Sequence, residues 1–231
     1  MSRIVISTLL MLSVILLIPG CLQQPTRVSH QMLANKDKIP SGFSKKKSFI
    51  IAGGEYQISG SKQKDGLQNR ELEKKLRLAL EKEGYIIKLR EVADTSIDYA
   101  IAYKYRISSK KQTAYEPRCV SGSIWTSKDN AFLNTTTYVP VERTYFTKML
   151  ELFVVELPEY LKTRKLSAPI WQSEAWTVDE SDDLRKNLDF LIVQSTGMFG
   201  KDSAGTINTD MYDDNKSVVS LRSAYANPIE K

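Results

Sequence analysis

Between Ile97 and Ile107 the chain alternates without a break. Ile97, Tyr99, Ile101, Tyr103, Tyr105 and Ile107 share one parity, and Asp98, Ala100, Ala102, Lys104 and Arg106 share the other. A β-strand turns successive side chains to opposite faces. This period therefore demands a strand with one large apolar face and one polar or small face. The large face has to be covered by a second layer. An inward, tyrosine-rich sheet face accounts for the row better than an exposed recognition platform does.

The covering layer is legible just upstream. Asp65 and Gln68 stand at capping-box spacing. Leu72, Leu76, Ala79 and Leu80 form an apolar stripe at helical spacing, and Glu71–Lys75 and Glu73–Arg77 are four apart in the favourable order. Gly84 supplies a C-terminal cap, so a helix is predicted over 65–84. Residues 48–52 read as a buried strand ended by Gly53-Gly54, and residues 85–89 as another. Gly53, Gly54 and Gly60 match neither a phosphate loop nor a dinucleotide fingerprint and read as turn residues.

Further along, residues 108–117 are polar and turn-like, 119–125 read as a strand and 126–137 as a loop. A long β segment spans 143–156 and stops at Pro158, and 170–176 reads as a further strand. A second helix is expected from Ser181, with Asp182 and Asp183 where negative charge suits the helix dipole. Leu184, Leu188, Leu191 and Ile192 would form its buried face, and Gly197 and Gly200 would end it. Residues 217–221 read as a short last strand and 223–231 as a frayed tail. The expected fold is α+β: a mainly antiparallel sheet of about six strands with two amphipathic helices on one face.

The N-terminus carries a different message. Arg3 precedes an apolar run, 4–18, that is broken only by Ser7, Thr8 and Ser13 and ends in Pro19-Gly20-Cys21. The run falls short of the roughly 20 residues of a membrane span and has the charge, apolar stretch and small cleavage residue of an export signal. Ile18-Pro19-Gly20-Cys21 resembles the lipobox of bacterial lipoproteins, with Pro19 departing from the small residues commonest at its position. The resemblance implies cleavage after Gly20 and lipidation of Cys21. Several acyl chains on one cysteine would exceed the marginal hold of a single chain. Leu22 is not the aspartate that retains such proteins at the inner membrane. The resemblance therefore implies the outer membrane, periplasmic face. The expected organisation is a signal peptide over 1–20, a flexible tether over 21–45 and one domain over 46–231. The tether reading rests on a polar stretch whose apolar residues, Val28, Met32, Leu33 and Phe43, are few and scattered.

Composition narrows the chemistry. The net charge is +6, from 33 Lys and Arg against 27 Asp and Glu. Such an excess suits anionic lipid, envelope polymers or nucleic acid. An envelope location argues against nucleic acid, and a solvated surface explains the charge best. Lys45-Lys46-Lys47 reads as a solvated flank of the first strand. His30 is the single histidine and falls in the expected tether, which argues against multi-histidine metal sites and histidine-based triads. Cys119 has no cysteine partner in the chain once Cys21 is acylated, and it reads as a buried thiol. Asp210, Asp213, Asp214 and Asn215 lack the spacing and the glutamate of a calcium loop. No catalytic, cofactor-binding or metal-binding residues are expected.

A second resemblance covers most of residues 46–200. It rests on Ile50-Ile51, on Leu80-Glu81-Lys82-Glu83-Gly84-Tyr85 and on Asp98-Tyr99-Ala100-Ile101. Ile170-Trp171, then Ser181-Asp182-Asp183-Leu184-Arg185, and a helix end at Phe199-Gly200 complete it. This pattern is similar to families of small Gram-negative outer-membrane lipoproteins of the domain-of-unknown-function type, which supply no catalytic residues to carry over. The expectation is a non-enzymatic, lipid-anchored protein that binds an envelope protein partner. The alternative is a lipid-anchored hydrolase of peptidoglycan or lipid, with Asp182 or Glu174 in its site. No nucleophile-elbow motif supports that alternative.

Overall fold

The computed structural model describes residues 25–58, 61–62, 66–89, 97–125, 130–163, 169–183 and 185–227. The strands are β1 (Thr26–Ala34), β2 (Ser48–Ile58), β3 (Ser61–Lys62), β4 (Ile86–Lys88), β5 (Tyr99–Trp125), β6 (Asn130–Glu156), β7 (Trp171–Asp179) and β8 (Ile207–Met211). The helices are α1 (Gly66–Lys82), α2 (Leu157–Thr163), α3 (Leu188–Gly197) and α4 (Lys216–Ala226). The fold is α+β. One sheet runs β3-β2-β5-β6-β7-β1-β8, with β4 also paired to β2. The β2–β5 and β2–β4 pairs are parallel and the rest are antiparallel, so the sheet is mixed and larger than expected.

From Tyr99 onward the alternating run forms the first part of β5, at the heart of the sheet, whereas Ile97 precedes the strand and packs with Ala100 in a second cluster. Ile101, Tyr103 and Tyr105 are buried in one cluster with Leu72, Leu76, Ala79 and Leu80 of α1. α1 ends as a Schellman turn: Tyr85 N–H donates to Leu80 O at 3.0 Å and Gly84 N–H to Glu81 O at 2.9 Å, with Gly84 at φ 85°. Asp65 lies outside the described residues, so the expected capping box does too. Gly53 and Gly54 continue β2 instead of ending it. The ladder shifts register between Ile51 and Gly53, which has φ 99°, and a Cβ on Gly54 would stand 2.1 Å from Tyr103 O.

The largest correction concerns the expected tether. Residues 26–34 are β1, which lies between β7 and β8. Val28, His30 and Met32 point into the core at 0%, 1% and 0% exposure. Ile39 and Phe43 are buried as well. Phe43 joins Phe49, Tyr85, Tyr99, Trp171 and Phe199 in an aromatic cluster with neighbouring ring centroids 4.8–6.5 Å apart. Within β1 the polar residues Arg27, Ser29 and Gln31 are the other parity of the strand and face away from the core.

Two C-terminal expectations also change. α3 starts at Leu188, not at Ser181. Residues 179–185 instead make side-chain-to-backbone turns: Ser181 N–H donates to Asp179 at 2.9 Å, Asp183 N–H to Ser181 Oγ at 3.2 Å and Arg185 N–H to Asp183 at 2.9 Å. Such local bonds compete with helix formation. Residues 217–221 are helical, not a strand, because Asn215 caps α4 by accepting from Ser217 N–H at 3.0 Å and Val218 N–H at 3.5 Å. α4 runs on to Ala226, so 223–226 of the expected tail are helical, and 228–231 of it lie outside the described residues.

Candidate functional site

Two features of this chain go beyond an ordinary packed sheet: a buried charge cluster under the helices and a long free ribbon. The cluster joins α1, α3 and α4. Lys75 Nζ stands 2.9 Å from Glu71 and 2.8 Å from Asp189, and its side chain is 8% exposed. Arg222 binds Asp189 at 2.9 Å and Asp213 at 3.0 Å. Burial pushes the Lys75 ammonium down, but the hydrogen bonds and charges of Asp189 and Glu71 outweigh it, leaving its pKa above the ordinary lysine value. A lysine held charged in this way is a clamp between helices, not a nucleophile.

The ribbon is made by the outer parts of β5 and β6. β2 accompanies β5 only as far as Ile107, and β7 accompanies β6 only over Phe146–Val154. Beyond them, 108–125 and 130–145 pair with each other alone among the described residues. At about 3.3 Å per residue this arm reaches roughly 55–60 Å from the sheet. The expected turn at 108–117 falls in it, as do residues 130–137 of the expected loop at 126–137, whose first residues, 126–129, lie outside the described residues. Cys119 also lies there, paired opposite Thr136.

The register sets the chemistry of the arm. Leu157 N–H donates to Asp98 O at 3.0 Å, and the pairing then runs unshifted from Tyr99/Glu156 to Trp125/Asn130. Hydrogen-bonded and non-hydrogen-bonded pairs alternate. The odd-numbered β5 residues therefore occupy non-hydrogen-bonded pairs, whose backbone groups point to the outer edges. Pro117, opposite Tyr138, and Pro140, opposite Tyr115, both fall at such pairs. Neither proline costs the ladder a hydrogen bond, and each removes a donor from an open edge, which interrupts strand addition there.

Both strands thus carry Tyr-x-Pro, as Tyr115-Glu116-Pro117 and Tyr138-Val139-Pro140, and the register brings the two motifs together on one face. Tyr115 and Tyr138 are each 68% exposed, and both prolines are exposed. The opposite face is partnered. Arg143 binds Glu116 and Glu180, which raises its pKa and ties the arm to the end of β7. The Tyr-Pro face was not anticipated from the sequence. The signal, a repeated Tyr-x-Pro, was present, but its meaning needed the hairpin register.

The other expected site residues are dispersed. Cys21 lies outside the described residues. His30 is buried, with Nδ1 3.0 Å from Gln194 Nε2, and burial pushes its pKa down. Glu174 accepts from Gln172 on the outer sheet face at 3.0 Å, and Asp182 is exposed in the loop before α3. Asp210 pairs with Arg27 at 3.0 Å and Asp213 with Arg222 at 3.0 Å, so these two acids are held in ion pairs to separate elements. In the lysine run, Lys47 binds Asp98 at 2.6 Å and Lys45 sits 3.4 Å from the Tyr85 ring centroid. Among the described residues no three metal-ligating side chains gather, and no helix is long and apolar enough to cross a membrane.

No family model matches the chain, and no curated protein matches it. Among solved structures, the PelC dodecamer from Paraburkholderia phytofirmans is similar over 71% of this chain and 93% of that one, at 9% identity and a TM-score of 0.40. A PDZ domain protein from Parabacteroides distasonis is similar over 80% of this chain and 39% of that one, at 10% identity and a TM-score of 0.38.

Proposed function

We propose that this chain is a lipid-anchored envelope protein, held through Cys21 at the periplasmic face of the outer membrane. It acts there by binding a protein partner through its arm and not by catalysis. The observation that carries the binding role is the arm itself, a two-stranded ribbon with an exposed Tyr-Pro face. A two-stranded hairpin is at best marginally stable alone in water, so a ribbon of this length is best accounted for by something that packs against it. The anchor reading rests on the N-terminal run and Ile18-Pro19-Gly20-Cys21.

Because β1 begins at Thr26, only 22–25 separate Cys21 from the sheet. From Cys21 to Thr26 the chain spans at most about 18 Å. The body would sit at the membrane surface, and the arm rather than a tether would supply the reach. Two measurements test the proposal in intact cells. Cys21→Ser should leave the protein unprocessed or release it from outer-membrane fractions, and unchanged fractionation overturns the anchor. A photo-crosslinking residue at Tyr138 should capture protein, while one at exposed Lys82 in α1 should not. Equal capture at both positions overturns a binding role for the arm.

A further inference from the structure

We infer that the arm's partner is a second copy of this chain, packed face to face through the Tyr-Pro face; this rests on the reading of the arm as a binding element. Tyr115, Pro117, Tyr138 and Pro140 occupy the corners of a small rectangle, with Tyr115 across from Pro140 and Pro117 across from Tyr138. Its sides are about 4.5 Å across the strands and about 7 Å along them. Tyrosines hold one diagonal and prolines the other. A second arm related by a twofold axis across the strands lays Tyr115 over the partner's Pro117 and Tyr138 over the partner's Pro140. Every tyrosine then meets a proline and every proline a tyrosine, so the face is complementary to itself, as an isologous interface requires.

The alternatives fit less well. Edge-to-edge pairing of arms is interrupted by Pro117 on one edge and Pro140 on the other. A twofold axis along the strands would also match tyrosine to proline. It would, however, set the two bodies side by side, and α1 lies over Ile101, Tyr103 and Tyr105, on the face of β5 that carries Tyr115. Two helical layers would then compete for one space. With the axis across the strands the arms run antiparallel and the bodies lie at opposite ends. That arrangement puts Glu142 over the partner's Thr136 and sets no like charges against each other. The opposite face already has partners in Arg143, Glu116 and Glu180. One ribbon face of about 55–60 Å by 10 Å buries on the order of 1,100 Å² over the two copies, at the lower margin of specific interfaces. Tyrosine and proline lose little conformational freedom when they pack.

Sedimentation velocity of the purified full chain in detergent, from about 1 to 50 μM, tests the inference. The wild type should sediment as a dimer. Tyr115→Ser with Tyr138→Ser should weaken association about 100-fold and leave the melting temperature unchanged, since both residues lie outside the core. The orientation is read separately in a Cys119→Ser background. Copies carrying Thr136→Cys, mixed with copies carrying Glu142→Cys, should be joined by a short bismaleimide crosslinker, because two faces packed about 10 Å apart hold the thiols too far apart for a direct disulfide. A monomeric wild type, or a dimer indifferent to the tyrosine substitutions, overturns the inference. If the wild type is monomeric while the Tyr138 photo-crosslinker captures a different protein or binds vesicles, the second-copy inference falls. Capture of a different protein would still leave the partner-binding reading standing.

Discussion

At the scale of single residues, the buried polar side chains divide into those the sequence marks and those it hides. Lys75 appears in the sequence as one end of an ordinary surface pair with Glu71. Its second partner, Asp189, is distant in sequence, and α3 brings it within 2.8 Å. Removing one member of a buried pair strands the other's charge. Lys75→Ala should therefore cost about 3–5 kcal/mol in urea denaturation, well above the loss of an exposed i,i+4 pair. His30 makes a pH-dependent prediction. Its pKa is lowered in the fold, so between the folded value and the ordinary value near 6.5 the unfolded chain holds more protons. Its contribution to stability is complete above about pH 6.5 and is lost as pH falls through the folded value. The slope of stability against pH below 6.5 should be shallower in His30→Gln than in the wild type, and equal slopes would contradict the assignment.

At the scale of elements, β1 shows what a period-two pattern conceals when a histidine takes a core position. Val28, His30 and Met32 are the inward row, but a histidine among Arg27, Ser29 and Gln31 reads as one more polar residue. Met32→Ala should cost about 2–5 kcal/mol, as a buried large-to-alanine change does. A freely hinged tether predicts no cost at all, so a melting curve separates the two. Turn geometry decides the ends of other elements. Gly200 has φ 79°, and a Cβ there would stand 2.8 Å from Phe43 N and from the Phe43 ring. Gly200→Ala should lower the melting temperature more than Gly205→Ala, where a Cβ meets nothing within 4 Å. Asn215→Ala should cost about 1 kcal/mol by uncapping α4. The sequence shows two valines at 218–219 and suggests a strand; the Asn215 side chain on two backbone N–H groups makes it a helix.

At the scale of the molecule, the body and the arm are separable. The core lies between the inner sheet face and α1, α3 and α4, and the buried apolar residues of β5 reach only to Ile107. Closing the arm with Asn-Gly between Lys110 and Tyr145, a hydrogen-bonded pair in this register, replaces 111–144 with a turn suited to a two-residue hairpin. The body should keep its melting temperature to within a few degrees. A collapse of stability would show that the arm belongs to the fold and is not an appendage.

Local pattern determined the elements whose signal is strictly periodic and whose partners are near in sequence. The alternation of β5, the stripe of α1 and the glycine that ends it all appear in the structure where the sequence puts them, because burial of one face leaves no other solution. Tertiary structure decided the rest. The sheet took β1 from a stretch with no consistent apolar face. The acids before α3 became turn acceptors because backbone donors lay within reach. The residues of 108–117 became a strand because they pair residue by residue with 138–147, and a ribbon that runs beyond the helices needs no apolar row to face them. The Tyr-Pro face has the same origin: two short motifs, far apart in the chain, acquire a shared surface only when the hairpin register sets one against the other.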